Sequence, residues 1–394
     1  MRARARLHPL PTISAVVAAL FATLAIGAAA PWVLGSAGAA SRVTTTHHVG
    51  APTPVSDLAG SLSQLGQATA DDALGMRTSY FEPPTVADPA TPGSTLLSGA
   101  DQPDPFILTA GGTDYLFTSQ IRSTANVPVR PLLSSGQWGP VVDALAFMPA
   151  WAQSGDTWAP DVHQFGSHYV LYFTAALAGV YPGVECIGDA YSTKPTGPYL
   201  PASEPFICQR NEGGDIDART FTAPNGTVYM LWKSDNNSDT ARYGNTNIYS
   251  QPLSADGMRL IGLPFRIFGP DEPWQGTIVE APDLVLVRGV YYLFYSGNWF
   301  NSASYAIGVA TCAGPLGPCR DTSATPLLAS NAQGAGPGEE SVFVDAQGIW
   351  LLYTPFCFTL PLNGGAPRPV SITRLGFGPR GPYLATVGNF ASSH

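Results

Sequence analysis

Carboxylic acids recur along this 394-residue chain where apolar, strand-like segments begin. Asp104 stands before Pro-Phe-Ile-Leu, Asp161 before Val-His-Gln-Phe, and Glu280 before Ala-Pro-Asp-Leu-Val. Burying an ionised carboxylate in apolar surroundings is unfavourable, so acids in such positions are either solvated or functional. Two carboxyl groups held on either side of a reacting bond can act as general acid and general base.

These acids head the copies of a repeated unit. Each copy has an acid, an apolar run, a turn with glycine or polar residues, and an aromatic-rich run. The five leading acids are Asp104, Asp161, Asp217, Glu280 and Glu339, which are 57, 56, 63 and 59 residues apart. Repeats of this size, made of short strands, are typical of propeller blades. The sequence therefore predicts an all-β fold, a five-bladed β-propeller whose inner strands bring their acids to one mouth.

The composition agrees with many short strands and turns. The chain contains 42 Gly and 37 Pro, and charged residues make up 12% of it, against about 25% in a typical globular protein. The formal net charge is −9, and no basic stripe is present to neutralise phosphates. Nucleic acid is therefore excluded as a partner.

The N-terminus has the pattern of an export signal. Arg2, Arg4 and Arg6 precede an apolar, Ala-rich stretch at 13–30, and small residues follow up to Ala40. We expect a signal peptide at 1–40 and a secreted protein. The alternative is an uncleaved membrane anchor, because about 18 apolar residues approach the length that spans a bilayer. We interpret 41–100 as a flexible linker with a short helix around 57–65, and 101–386 as one propeller domain with no second domain.

Five cysteines suit an oxidising compartment. Cys312 and Cys319 bracket a short Gly- and Pro-containing turn that a disulfide could close, and Cys186 and Cys208 form the second plausible pair. Cys357 then remains as a buried thiol.

The acidic segments resemble a known enzyme family. Asp104 in Pro-Asp-Pro-Phe-Ile, Asp161 in Trp-Ala-Pro-Asp-Val and Glu280 in Val-Glu-Ala-Pro are similar to the three acidic motifs of glycoside hydrolase family 43. The similarity extends over 101–385. This family includes arabinanases, α-L-arabinofuranosidases and β-xylosidases on a five-bladed propeller, so the resemblance implies the same fold and a hydrolase of arabinose- or xylose-containing poly- or oligosaccharides.

The resemblance also implies roles. Asp104 would be the general base, Glu280 the general acid, and Asp161 the residue that positions the acid and raises its pKa. The alternatives are structural: Asp104 and Asp161 could cap turns, and Glu280 could pair with an arginine across the channel. We interpret Asp283 as structural.

Substrate contacts are predicted at aromatic and polar positions near the motifs. Trp158 and Trp299 could stack on a sugar ring, as could Trp274, although a Trp in a β-rich protein is more often part of the core. Asp217 could contact sugar hydroxyls or pair with Arg219.

One segment departs from the family. Many members have His in a Gly-x-Gly-His segment near the axis, where it can support a bound ion, whereas this chain has Glu339 after Gly-Pro-Gly. Glu339 could bind calcium directly, since hard cations prefer oxygen ligands, or pair with an arginine. We therefore expect no required cofactor, and a structural calcium in the channel stays open.

Two other functions stay open beside the inverting hydrolase. One is a catalytically silent carbohydrate-binding propeller, and the other is a retaining, fructosidase-type propeller, whose Arg-Asp-Pro motif is absent here. We expect a monomer whose partner is its saccharide substrate and which is not bound to a membrane once the signal is removed.

Overall fold

A computed structural model describes residues 95–96, 101–120, 124–145, 147–180, 183–332, 334–356 and 367–385. The predicted signal peptide, the predicted helix at 57–65 and Cys357 lie outside the described residues. The strand β1 (Thr95–Leu96) falls in the segment predicted as linker, and it is part of the last sheet of the fold.

The described strands form five small antiparallel sheets, which are the blades of the predicted five-bladed propeller. Blade 1 contains β2 (Phe106–Ala110), β3 (Thr113–Phe117), β4 (Pro128–Pro131) and β5 (Val142–Asp143). Blade 2 contains β6 (Ala152–Phe165), β7 (His168–Leu177), β8 (Glu185–Ser192) and β9 (Leu200–Pro201). Blade 3 contains β10 (Asp215–Thr222), β11 (Val228–Ser234), β12 (Ile248–Pro252) and β13 (Phe265–Phe268).

The last two blades complete the ring. Blade 4 contains β14 (Val279–Val287), β15 (Val290–Gly297), β16 (Ala306–Cys312) and β17 (Cys319–Asp321). Blade 5 contains β18 (Ala335–Asp345), β19 (Gly348–Phe356), β20 (Ser371–Gly378) and β21 (Gly381–Ala385), and β1 pairs with β20. The N-terminal end of the domain thus closes the C-terminal blade.

Helical structure is scarce. The described residues contain one α-helical turn, α1 (Thr240–Tyr243), and 3₁₀ turns at Arg210–Glu212, Asn236–Asp239 and Pro273–Gln275. No helix in these ranges has the length and hydrophobicity needed to cross a bilayer.

The inner hairpins follow the predicted repeat. In blade 4, β14 and β15 pair through Leu284 with Leu293 and Val285 with Tyr292, around the predicted turn at Arg288 and Gly289. Side chains alternate between the two faces of each strand. Both faces of a blade are apolar because each blade packs between two others.

The core accordingly lies between the blades. Each of the five apolar clusters joins two neighbouring blades. Representative pairs are Phe117 with Phe173, Tyr172 with Trp232, Leu231 with Leu293, Phe294 with Leu351, and Trp350 with Leu116. No single blade could bury such surface alone, so the ring is stable only as a whole.

Two disulfides support the outer parts of the ring. Cys186 pairs with Cys208 and Cys312 pairs with Cys319, which confirms both predicted pairings. The described bonds fit an extracellular protein.

The inner strands share a backbone irregularity that determines where the acids point. In each blade, one non-glycine residue within or just before the inner strand has a φ of +46° to +58°: Asp104, Ala159, Asp217, Ala281 and Glu339. In blades 2 to 5 a break in the β-ladder accompanies it. Bulges of this kind re-aim side chains, and the left-handed conformation is unfavourable for residues with a Cβ, so its recurrence marks a functional end of the ring.

A buried ionic layer lies two residues further along three of these strands. Arg219 Nη1 is 3.4 Å from Asp161 Oδ1, and Arg219 Nε is 3.8 Å from Asp283 Oδ2. The guanidinium also lies over the ring of Phe106 at 5.0 Å from its centroid. Asp161 is fully buried. This layer joins blades 1 to 4 below the mouth, and it gives Asp283 the structural position expected for it.

Replacing Arg219 with Met should leave two buried carboxyl groups without their cation. We expect the free energy of unfolding to fall by about 3–5 kcal/mol, the usual loss when one partner of a buried ion pair is removed. Urea unfolding at pH 7 measures this. The matched variant Arg320→Met removes an exposed arginine and should change stability by less than about 0.5 kcal/mol. Equal effects of the two substitutions would contradict the proposed importance of the layer.

Candidate active site

A small cavity lies at the ends of the inner strands that carry the residues of positive φ. Its lining includes the bulge residue of every blade, among them Asp104, Asp217 and Glu339. The sequence prediction that acids from different blades meet at one mouth is therefore correct for these three.

In two blades, the predicted repeat aligned an acid that is not structurally equivalent to the leading acids of the other blades. The structurally equivalent residues of blades 2 and 4 are Ala159 and Ala281, so Asp161 lies two positions later and Glu280 one position earlier. Successive side chains point to opposite faces of a strand and a bulge adds one residue, so such shifts change what a side chain contacts. Glu280 still reaches the mouth, whereas Asp161 belongs to the layer below.

Glu280 is held on both of its oxygens. Lys233 Nζ on β11 is 2.9 Å from Oε2, and the Tyr305 hydroxyl donates a 2.6 Å hydrogen bond to Oε1. Glu280 is 5% exposed and Lys233 only 1%. Burial alone would lower the pKa of Lys233, but the carboxylates of Glu280 and Asp235 raise it, so the lysine carries its charge. The partner of Glu280 is thus a lysine of blade 3 and not an arginine.

Asp217 lies next to Glu280. Carboxyl oxygens of Asp217, Glu280 and Glu339 are all within 4.8 Å of one another. Burial and the negative charge of Glu280 raise the pKa of Asp217 to about 7. One of its oxygens accepts a hydrogen bond from Ala281 N at 3.0 Å. Three acids this close cannot all be ionised beside one lysine, so the group holds at least one proton near neutral pH.

Glu339 is the third member of this group. Its Oε1 lies 2.9 Å from the same Tyr305 hydroxyl oxygen, within hydrogen-bond distance. Burial, followed by the charges of Asp217, Asp104 and Glu280, raises its pKa well above the usual range for glutamic acid.

Asp104 lines the same mouth as Asp217 and Glu339. Its carboxylate accepts a hydrogen bond from Ser119 and lies 3.8 Å from Arg368 Nη1. The Arg368 guanidinium also lies over the rings of Phe300 and Phe356, at 5.7 and 5.6 Å from their centroids. Asp104 is 8% exposed and is held by groups of the first and last blades.

Asp161 is not brought to Glu280. Its two oxygens are held by Arg219, at 3.4 Å, and by Thr220 Oγ1, at 2.8 Å. Burial raises the pKa of Asp161, and the Arg219 charge opposes that rise. The neighbour of Glu280 is instead Asp217, for which the sequence had suggested sugar contact or pairing with Arg219.

The predicted aromatic residues have different surroundings. Trp158 is half-buried at the position of blade 2 equivalent to that of Glu280 in blade 4, and its Nε1 donates a 2.7 Å hydrogen bond to Asp156. Trp299 is 46% exposed in the loop after β15. Trp274 stacks on Tyr295 and fills the space beside Gly297 and Gly308, so it belongs to the core.

The acid group does not fit a divalent cation. Although its oxygens are close together, Glu280 already has an ammonium ion at 2.9 Å and a hydroxyl donor at 2.6 Å. A doubly charged ion there would be repelled by Lys233, which supplies the positive charge of the site. We therefore assign no metal to these three residues.

Three important residues were missed in the sequence. Lys233 is the one cation in the apolar segment of β11. A lysine is rarely buried unless it is paired with an acid, so this position was a signal in the sequence of a nearby carboxylate. Tyr305 and Arg368 gave no such signal, since they come from a loop and from the segment before β20 and reach the mouth only in the closed ring.

The chain is similar to known proteins. The family profile described as glycosyl hydrolases family 43 matches residues 97–362. An α-L-arabinofuranosidase 43 of Humicola insolens is 28% identical over 209 residues, which are 50% of this chain and 41% of that protein. An arabinan endo-1,5-alpha-L-arabinosidase C of Emericella nidulans is 25% identical over 55% of this chain and 71% of its own length.

A solved structure shows the same architecture. A thermostable family-43 glycoside hydrolase matches with a TM-score of 0.62 and 26% identity, covering 76% of this chain and 98% of that one. The chain spans about two fifths of the length of the first curated relatives that it matches, at 41% and 39%.

The raised pKa of Asp217 has a consequence for stability. The folded protein keeps this proton up to about pH 7, whereas the ordinary value is 3.8. Ionising Asp217 is therefore less favourable in the folded than in the unfolded state, and its contribution to stability falls as the pH rises between these values. We expect Asp217→Asn to become progressively more stable than the wild type over this interval, with a constant difference above it.

Urea unfolding at several pH values between about 4 and 8 measures this difference in the free energy of unfolding. This range includes the interval in which the linkage relation predicts the difference to change. Asp239→Asn, at an exposed aspartate on the N-terminal side of α1, controls for the loss of one charge. A difference between Asp217→Asn and the wild type that does not vary with pH would contradict the raised pKa.

Proposed function

Because this chain belongs to glycosyl hydrolase family 43, we propose that it hydrolyses glycosidic bonds in poly- or oligosaccharides that contain arabinose or xylose. The observation that carries the proposal is the meeting of Asp104 with Asp217 and Glu280 at one mouth, on three different blades. A propeller that only bound sugars would have no need for buried acids that share protons.

The reaction is a single displacement. Asp104 accepts a proton from water as the water oxygen bonds to the anomeric carbon. Glu280 donates a proton to the departing glycosidic oxygen, whose bond to that carbon breaks, and the configuration is inverted. After the products leave, solvent returns a proton to Glu280 and removes one from Asp104.

We assign to Asp217, and not to Asp161, the task of keeping the proton on the acid. Its carboxyl oxygen lies within 4.8 Å of those of Glu280 and Glu339, and acids this close share protons. Lys233 and Tyr305 fix the direction of the Glu280 carboxyl group. Asp161 supports the site only through Arg219 and Thr220.

Substrate contacts and location complete the proposal. Trp299 is exposed and Trp158 is half-buried, and both supply flat apolar surface for a sugar ring. The curated relatives named above are arabinofuranosidases or arabinanases, which favours arabinose-containing substrates. Two disulfides and the N-terminal pattern support secretion.

Glu280→Gln should separate acid catalysis from binding. We expect kcat to fall by about 100- to 10,000-fold on substrates whose leaving group needs a proton, the usual contribution of a general acid. The loss should be much smaller for nitrophenyl glycosides, whose leaving group departs without protonation. Glu204→Gln, at an exposed glutamate, is the control. An equal loss on both substrates would argue against Glu280 as the acid.

The stereochemistry of the product tests the reaction type. Proton NMR of the first-formed sugar from arabinan, arabinoxylan or an aryl glycoside should show the inverted anomer before mutarotation. A retained anomer would support the fructosidase-type reaction. Binding of these saccharides without release of sugar would support the silent binding propeller.

A further inference from the structure

Glu340 is a buried acid next to the site that the reaction above does not use. It follows Glu339 on β18, is 0% exposed, and lies between blades 4 and 5. Its Oε2 is 2.5 Å from Ser296 Oγ, whereas Oε1 has no hydrogen-bond partner among the described residues. The charged groups that face it are Asp283 and, with a smaller effect, Arg219. A lone ionised carboxylate in these surroundings would be strongly unfavourable.

The hydrogen bonds of Ser296 fix the direction of its proton. The Glu339 backbone N–H donates to Ser296 Oγ at 3.0 Å. If Glu340 is the neutral acid, its O–H also donates to Ser296, and both lone pairs of that oxygen are then occupied. The Ser296 hydroxyl proton must go elsewhere, and the remaining neighbour is the Tyr305 hydroxyl, whose pKa hydrogen bonding from Ser296 lowers against the effect of burial.

The same accounting applies to Tyr305. Its oxygen accepts the proton of Ser296 and can also accept one from Glu339, whose Oε1 is 2.9 Å away. Its own proton is then directed to Glu280 Oε1 at 2.6 Å. Each hydroxyl group in the series therefore donates in one direction only, away from Glu340 and towards Glu280.

We propose that Glu340 is a positioning residue of the active site: its carboxyl group donates a hydrogen bond to Ser296 and thereby orients the Ser296 and Tyr305 hydroxyls towards Glu280. No proton moves along the series during the reaction, because the buried end has no access to solvent. Burial raises the pKa of Glu340 well above its usual range, in agreement with a neutral acid.

The local sequence leaves room for this arrangement. A Cβ on Gly338 would lie 2.0 Å from the Tyr305 ring, and a Cβ on Gly336 would lie 2.5 Å from the Ser302 carbonyl oxygen. The two glycines before Glu339 therefore allow the Tyr305 ring to pass between β18 and the mouth. The chain places the phenol in one position, and Glu340 and Ser296 determine where its proton points.

The protonation of Glu340 can be measured without any substrate. In the infrared difference spectrum of wild type minus Glu340→Gln at pH 7, we expect the carbonyl stretch of a protonated carboxylic acid, and it should persist at pH 9. Glu185→Gln is the matched control, because burial and nearby acids raise the pKa of this partly buried glutamate to about 7, so its band should disappear by pH 9. A carboxylate band for Glu340 at pH 7 would overturn the proposal.

Activity tests the positioning role, which rests on the proposed function. Glu340→Leu removes the donor and should lower kcat by about tenfold, as expected for one misdirected hydrogen bond. Glu340→Gln keeps a hydrogen-bond donor of the same shape and should therefore retain most of the wild-type kcat. If Glu340 were ionised, neither Gln nor Leu would reproduce its charge. Equal loss in the Gln and Leu variants would overturn the positioning role.

Ser296→Ala provides a second variant if Glu340→Leu folds poorly. It interrupts the same series and should lower kcat to a similar extent, so an unchanged kcat would contradict the proposal. Where Glu340→Leu folds, the double variant Glu340→Leu, Ser296→Ala should lose no more activity than either single variant, whereas independent effects would multiply. Multiplying effects would contradict the proposal. Absence of hydrolysis by the wild type would refute the proposed function and leave the infrared result intact, so the two failures are distinguishable.

Discussion

The confinement of four carboxyl groups in one small, poorly solvated mouth is the constraint on which the rest of the site depends. Asp104, Asp217, Glu280 and Glu339 come from four blades. Their mutual repulsion and burial would exclude them from any ordinary core. The protein balances them with Lys233 at Glu280 and Arg368 at Asp104. The remaining negative charge is compensated by protons on the carboxyl groups, and acid–base catalysis requires such shared protons.

The left-handed bulges show how the backbone meets this constraint. A regular strand would alternate side chains between two neighbouring blades, and none would face the axis. One residue per blade in the unfavourable conformation turns the chain so that side chains enter the mouth. Two blades have Ala at this position, and its small side chain leaves space between the acids. The unfavourable conformations persist because five interblade clusters fix the strands on both sides.

The sequence predicted the features that depend on local pattern. Apolar runs, glycine turns and the recurrence of both were sufficient for the inner hairpins and the number of blades, and the positions of the cysteines suggested both disulfides. It did not predict the register of the bulges, because alternation continues on either side of them. For that reason Asp161 and Asp217 could not be told apart: both follow apolar residues, yet one pairs with Arg219 and the other lies beside Glu280. The contacts of Lys233, Tyr305 and Arg368 depend on which blades become neighbours. A local sequence pattern does not indicate which blades those are.

The pairing of β1 with β20 constrains the order of folding. Thr95 is opposite Ile372 and Leu96 is opposite Ser371, so the first strand of the domain completes its last sheet. During synthesis, β1 must wait for almost the whole domain to leave the ribosome before its partner exists. Blades 1 to 4 can pair internally on the nascent chain, but the mouth cannot assemble until this late, long-range contact forms. A chain truncated before blade 5 would contain Glu280 and Asp217 but lack Glu339 and Arg368, and would therefore carry unbalanced acids in an open arc.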